Sequence, residues 1–274
     1  MGIPFVKMHG LGNDFVVVDE RAGDRRGWER LAPRIAHRRL GVGCDQVLVL
    51  RSSARADVAV AFYNADGSPA GMCGNGLRCV ARYLSEREGA GPALRVETPS
   101  GVVAVRTAGD GAEVDLGTPR FEGREIPARA DGPVREQPLP LGETSVKVTC
   151  VSVGNPHAVV FVDDAEAYPV EEVGPRIERH PFFPERTNVE FVQVLAPDRI
   201  RMRVWERGAG LTPACGSGAA AAAVASCWTG RTGREVAVVL DGGELEVRWE
   251  PETRHVFLAG PAAFVFEGTW FGEG

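Results

Sequence analysis

Met72-Cys73-Gly74-Asn75-Gly76-Leu77-Arg78-Cys79 and Ala214-Cys215-Gly216-Ser217-Gly218-Ala219-Ala220-Ala221 carry one phrase, Cys-Gly-x-Gly running into a helical pattern, 142 positions apart. The same interval recurs outward from it. Gly12-Asn13 is answered by Gly154-Asn155, Gln46 by Asn188, Asn64 by Glu206, and Phe62-Tyr63 by Val204-Trp205. Solenoid repeats run roughly 20 to 50 residues, so a period this long is that of a duplicated domain. The chain therefore reads as two similar lobes.

Its 274 residues, 44% hydrophobic and 25% charged, hold enough material for two cores of about 120 to 150 residues each. A net charge of −6 argues against nucleic acid or an anionic membrane as partner. The arginine-rich stretch from Asp24 to Arg39 carries Trp28, Leu31 and Ile35 at helical spacing, which makes its arginines the solvated face of a surface helix. Met1 to Gly10 has no charged-then-apolar signal pattern, and no apolar run approaches the ~18 residues of a membrane span. A cytoplasmic protein is expected. Six cysteines without a CxxC pair are not a secreted disulfide framework, and a reducing compartment keeps them as thiols.

Strands are predicted at 15–19, 47–50, 58–63, 94–97, 102–107, 113–116, 145–151, 158–162, 189–194, 200–205, 236–240, 244–249 and 255–259. Their short, near-regular spacing suggests antiparallel sheets. Helices are predicted over 28–39, 75–87, 171–178 and 217–228, the last an alanine run apolar nearly all round and hence buried. The fold class that results is α+β. Two pseudo-symmetric lobes each curl a mainly antiparallel sheet around the helix that follows Cys-Gly-x-Gly. The first lobe is read as 1–117 and the second as 118–261, with proline and glycine gathering at Gly117 to Pro119 and at Gly260-Pro261. The tail 262–274 has no counterpart inside the repeat and is expected to return to the first lobe.

The thiolate is the reactive form of cysteine, and a helix N-terminus favours it. Cys73 and Cys215 both open such a helix. The glycines after them let backbone amides approach an anion closely, so two such ends facing one another would clamp a carboxylate with a sulfur on either side of the neighbouring carbon. Inverting a stereocentre alpha to a carboxylate needs a base on one face, an acid on the other, and stabilisation of the charge that builds on the carboxylate. Pyridoxal phosphate on a lysine is the common alternative. Only Lys7 and Lys147 are available, and neither adjoins a glycine-rich phosphate loop, so no cofactor is expected.

Lys7-Met8-His9-Gly10-Leu11-Gly12-Asn13-Asp14-Phe15, the run from Asn64 to Cys79, Gly154-Asn155-Pro156-His157, Thr187-Asn188-Val189, and Glu206-Arg207-Gly208-Ala209-Gly210 with Ala214-Cys215-Gly216-Ser217-Gly218 together resemble diaminopimelate epimerase. Each motif alone is weak, but five in order span nearly the whole chain. The resemblance implies a cofactor-independent homodimer that interconverts LL- and meso-diaminopimelate on the route to lysine and cell-wall peptide. Cys73 and Cys215 would be the acid/base pair, with His157 and Glu206 tuning them and the substrate amine. Gly74, Asn75, Gly216 and Ser217 would bind the reacting carboxylate. Asn13, Gln46, Asn64, Asn155, Asn188 and Arg207 would hold the amines and the distal carboxylate, a guanidinium being suited to grip the latter bidentately.

Two departures stand out: Ser217 where the family often has threonine, and Cys44 where alanine is more usual. No role is assigned to Cys44. Plainer readings apply elsewhere. Cys79, Cys150 and Cys227 lie in apolar patterns and read as small hydrophobes. His9 reads as a turn cap, and His37, His180 and His255 as surface residues. The asparagines are also able turn formers, and Glu206-Arg207 alone would pass for a surface ion pair. Two other functions compete. A proline racemase-type enzyme shares a two-cysteine scaffold, but its small substrate needs no distal polar cluster. A redox or zinc module built on Cys73 and Cys215 would want further ligands at short spacing, and the sequence has none.

Overall fold

The alternating runs at the start of the chain form β1 (Ile3–Gly10) and β2 (Asn13–Asp19), an antiparallel hairpin in which Val6 lies opposite Val17 and Gly10 opposite Asn13. Leu11 and Gly12 turn the chain with φ of 54° and 85°. The computed structural model describes residues 2–23 and 26–272. Asp24 and Arg25 of the arginine-rich stretch, Met1, and Glu273 and Gly274 of the tail lie outside the described residues. The chain divides into one unit of 1–114 with 260–274 and a second of 115–259.

In the first unit, β2 is followed by α1 (Trp28–Ala36), β3 (Gln46–Arg51), β4 (Val58–Asn64), β5 (Pro69–Ala70), α2 (Gly74–Glu88), β6 (Ala93–Thr98), β7 (Gly101–Ala108) and β8 (Gly111–Asp115). Amphipathic α1 buries Trp28, Ala32, Ile35 and Ala36 against β3 and β4. Its Trp28 indole donates to the buried Glu20 carboxylate at 2.9 Å. The helix stops at Ala36, short of the expected Arg39. There the chain turns extended at the C-cap His37, with φ −63° and ψ 115°, and the N–H groups of Val42 and Gly43 both take the Ile35 carbonyl at 2.9 Å.

The second unit runs β9 (Gln137–Leu141), β10 (Thr144–Ser152), β11 (Pro156–Phe161), α3 (Val170–Glu178), β12 (Asn188–Ala196), β13 (Arg199–Glu206), β14 (Gly210–Thr212), α4 (Gly216–Trp228), β15 (Glu235–Leu240), β16 (Gly243–Trp249) and β17 (Val256–Pro261). α4 packs against β10, β11, β12, β13, β15 and β16. A helix enclosed by strands on so many sides has no polar face to keep, which accounts for its alanine run: Ala219 to Ala225 are all buried. The chain then returns to the first unit as β18 (Ala263–Trp270), antiparallel to β1 with Ile3 opposite Trp270 and His9 opposite Ala263.

Strand spacing alone suggested antiparallel pairing. Most pairs are antiparallel, but each unit also contains two parallel ones: β2 with β3 and β4 with β6, then β11 with β12 and β13 with β15. The reason is the helix between each pair. α1, α2, α3 and α4 carry the chain back to the starting end of the sheet, so the next strand runs the same way as the last. The α+β class holds, with sheets of mixed direction. Both cysteine helices are crossovers of this kind, and their N-termini therefore sit at the strand ends that carry Asn64 and Glu206.

Candidate functional site

Cys73 and Cys215 are the N-caps of α2 and α4, in nearly the same extended conformation: φ −136° and ψ 114° at Cys73, φ −126° and ψ 111° at Cys215. The first helical residues, Gly74 and Gly216, follow directly. Space at the third helical position is tight in both units, but against different chemistry. A Cβ on Gly76 would meet the Leu48 methyl groups at 3.1 and 3.3 Å, whereas one on Gly218 would meet a Glu190 carboxylate oxygen at 2.9 Å and the Cys215 sulfur at 3.3 Å.

In the first unit, Asn13 gathers the predicted residues. Its Oδ1 accepts from Asn75 Nδ2 at 3.2 Å and lies 3.8 Å from the Cys73 sulfur, while its Nδ2 donates to Asp45 at 2.9 Å. Behind it, Asp14 ties Lys7, Arg38 and the Asp45 N–H together. Gln46 and Asn64 face each other across β3 and β4, Gln46 Nε2 donating to Asn64 Oδ1 at 2.8 Å. Asn64 in turn donates to Ser68 at 3.0 Å.

The second unit holds a longer polar chain. Asn155 Nδ2 donates to Ser217 Oγ at 3.2 Å, and Ser217 Oγ lies 3.6 Å from the Cys215 sulfur. The other end of the Asn155 amide meets His157 Nε2 at 2.9 Å, and His157 Nδ1 meets Glu190 at 2.7 Å. His157 and Glu190 are both fully buried. Glu190 was not among the expected site residues. The signal was present in the repeat interval, because Glu190 stands where the first unit has Leu48, as His157 stands where it has Phe15.

Asn188 and Arg207 are placed differently from free ligands. Asn188 is buried, donates to the Pro156 carbonyl at 2.9 Å and accepts from the Arg207 N–H at 2.9 Å, so within this unit it fixes the loop that carries Arg207. The Arg207 guanidinium is exposed and donates to the Glu185 carbonyl at 3.2 Å. The Glu206 carboxylate accepts from the Thr212 hydroxyl, and Gly208 N–H donates to the buried Glu178 at 3.2 Å.

Electrostatics correct one expectation. The helix terminus was expected to favour the thiolate at Cys215. Instead, burial first, then the Glu206 and Glu190 carboxylates, push its thiol well above the ordinary range, outweighing the Ser217 hydroxyl and the Gly218 N–H at 3.4 Å that pull the other way. A helix end supplies only partial charge, which the cost of burying a thiolate beside acidic side chains exceeds. Burial likewise pushes Cys44 and Cys79 up to about 12 and Cys150 higher still, so these three are inert packing residues, and Cys227 is also raised by burial. Among the histidines, His9 Nδ1 accepts from the Gly12 N–H across the β1–β2 turn at 3.4 Å. His37 is exposed, while His180 and His255 are half-buried, with His255 paired to Asp115 at 2.9 Å. A groove of about 490 Å³ lined by Lys147, Asp163, Asp164 and Tyr168 shares no residue with either cysteine cluster.

Comparison with known proteins identifies the family and the fold. Residues 5–122 and 149–265 match the family model described as diaminopimelate epimerase. The chain is 48% identical to the diaminopimelate epimerase of Moorella thermoacetica over 96% of its length and 98% of that protein. It is 50% identical to that of Magnetococcus marinus over 99% and 98%. The fold is shared more widely. A Bacillus anthracis phenazine biosynthesis protein of the PhzF family superposes with a TM-score of 0.72 at 17% identity, covering 98% of this chain and 99% of that one. A hydroxyproline epimerase from Agrobacterium vitis gives 0.71 at 15%, covering 98% and 90%. At such identities the two structures speak for the fold alone, whereas the sequence match runs through both cysteine turns, and on that match the chain belongs to the diaminopimelate epimerase family.

Proposed function

We propose that the protein interconverts LL- and meso-diaminopimelate, with Cys73 and Cys215 as the two acid/base groups. One sulfur, as thiolate, takes the proton from the alpha carbon and becomes a thiol. The other, as thiol, gives its proton to the opposite face of the carbanion and becomes a thiolate, so the stereocentre inverts and no atom is gained or lost. Charge that develops on the alpha carboxylate is met by the N–H groups at the starts of α2 and α4, at Gly74, Asn75, Gly216 and Ser217. Asn13, Gln46, Asn64, Asn155, Asn188 and Arg207 would hold the amines and the far carboxylate, and His157 and Glu206 would adjust the sulfurs and the substrate amine. The carrying observation is the matched pair of N-capping cysteines, alike in backbone conformation and unlike in the side chains behind them. Lysine and cell-wall precursor synthesis and a homodimer follow from the family resemblance, and a cytoplasmic location from the cysteine usage, as parts of the same proposal.

The test is incubation of the pure protein with LL-diaminopimelate in D2O, without added cofactor. Exchange and inversion at one alpha carbon are expected. Removal of a positioned acid or base should cost at least ~10²-fold, so Cys73→Ala and Cys215→Ala should each abolish epimerisation. Near-native turnover in either variant would overturn the two-base reading.

A further inference from the structure

We infer that Glu190 is a positioning residue: by keeping a proton on His157 Nε2, it turns the Asn155 N–H to the Ser217 oxygen and so points the Ser217 hydroxyl at the sulfur of Cys215. The inference rests on the reading of Cys215 as one of the two acid/base groups. Its geometry is a continuous chain: Glu190 to His157 at 2.7 Å, His157 to Asn155 at 2.9 Å, Asn155 to Ser217 at 3.2 Å and Ser217 to Cys215 at 3.6 Å.

The direction of each bond follows from donor and acceptor inventories. Asn155 Oδ1 can only accept, so His157 Nε2 must carry hydrogen. Nδ1 and the Glu190 oxygen then share one further proton, either as imidazolium against carboxylate or as a carboxyl O–H donating to a bare nitrogen. In both cases Nε2 keeps its hydrogen. Burial pushes the Glu190 carboxyl up, against the pull of His157, which favours retaining that proton within the pair. With its Oδ1 committed to His157, Asn155 turns its N–H to the Ser217 oxygen, and the Ser217 hydroxyl hydrogen is left to meet the Cys215 sulfur. The Gly218 N–H joins it there at 3.4 Å.

The first unit has the opposite polarity. Phe15 and Leu48 occupy the places of His157 and Glu190, so the equivalent asparagine is anchored from its other end. Asn13 gives its N–H to Asp45 and presents its oxygen to Asn75 and Cys73. The duplicated fold thus offers an acceptor beside one sulfur and, through Ser217, a donor beside the other. The charged or titratable groups acting on Cys215 are Glu206 from β13, Glu190 from β12 and, through Asn155, His157 from β11. The donors counteract the two carboxylates when Cys215 has to carry a negative charge.

Two measurements test this. In ¹⁵N-histidine-labelled protein, the His157 signal, assigned by its loss in His157→Gln, should show a protonated Nε2; a bare Nε2 would overturn the inference. The second is the rate of Cys215 alkylation by iodoacetamide against pH in a Cys73→Ala background, read on the Cys215 peptide by mass spectrometry, so that the thiols of Cys44, Cys79, Cys150 and Cys227 and the tyrosines do not enter the signal. Glu190→Gln and Glu190→Leu both remove the carboxylate, but only glutamine can still donate to His157 Nδ1. The Cys215 midpoint should lie higher in the leucine variant by roughly one pH unit, while the Cys73 midpoint, read in Cys215→Ala, stays equal in both. Equal Cys215 midpoints in folded Gln and Leu variants would overturn the inference. If Glu190→Leu does not fold, the nitrogen measurement on the wild type decides. Neither readout uses turnover, so failure of the two-base reading, seen as a cysteine variant that keeps epimerase activity, is told apart from failure of this inference.

Discussion

Asp14 shows how a residue beside the site contributes to stability rather than to chemistry. It pairs with Lys7 at 2.6 Å and Arg38 at 2.9 Å and accepts the Asp45 N–H at 2.9 Å. Burial alone would raise its carboxyl, but the hydrogen bonds from Arg38 and Lys7 and the Lys7 charge prevail and lower it from 3.8 to about 2. A carboxylate whose folded pKa lies below its unfolded one stabilises the fold above the unfolded value. That contribution, roughly 2 kcal/mol, disappears as pH falls from near 4 to near 2. Asp14→Asn should therefore be less stable than the wild type at pH 7 by about that amount, with the gap closing towards pH 2 in urea titrations. A gap that does not change with pH would show the ion pairs to be energetically silent. At this scale the repeat interval was an effective guide where polar residues answered polar ones: Asn13 with Asn155, Cys73 with Cys215. It missed Glu190 because its counterpart Leu48 is an ordinary core residue, so no polar residue of the first lobe points to that position.

Among the elements, α4 is the most demanding. Ala222 is fully buried, and its carbonyl accepts the Ser226 hydroxyl at 2.7 Å. Alanine combines high helix propensity with the small volume that lets strands on several sides come close. Ala222→Leu adds three carbons where no space is left, and overpacking of this kind costs about 1 to 3 kcal/mol. Chemical denaturation should show a loss in that range without a change in the m-value; a loss under roughly 0.5 kcal/mol would mean that α4 is loosely held. α2 differs: Arg82 and Glu86 form an i,i+4 pair at 2.6 Å on its solvent side. Both helices were readable from hydrophobic pattern, since burial on all sides and burial on one side leave distinct periodicities. Strand direction was not readable in the same way. A strand's composition responds to which face is buried, whereas parallel pairing is decided by whether a helix lies in the connection. The two-residue β5 and the three-residue β14 are too short for any period to show.

Over the whole chain, the first unit is assembled from two separated segments, and its integrity depends on the last of them. β18 pairs with β1 along its length, the Phe5 and Phe266 rings meet edge to face at 5.8 Å, and Glu267 pairs with Arg87 at 2.8 Å. The Pro261 carbonyl accepts from the buried Arg78 at 3.3 Å, and the Ala262 carbonyl accepts from Arg82. None of this has a counterpart in the repeat, so periodicity was silent about where the tail would pair. Deleting 261–274 would leave the β1 edge unpaired, with Ile3 and Phe5 uncovered and the Arg78 guanidinium without its carbonyl acceptor. A buried cation left short of partners is costly, and the total should reach several kcal/mol, lowering the melting temperature by on the order of 10 °C. The loss should also be local. Hydrogen exchange should show β1 and β2 amides losing protection while β11, β12 and β13, which belong to the other unit, keep theirs. Uniform loss of protection in both units would instead make the chain a single cooperative body, and unchanged melting would mean that β18 contributes nothing to the first unit.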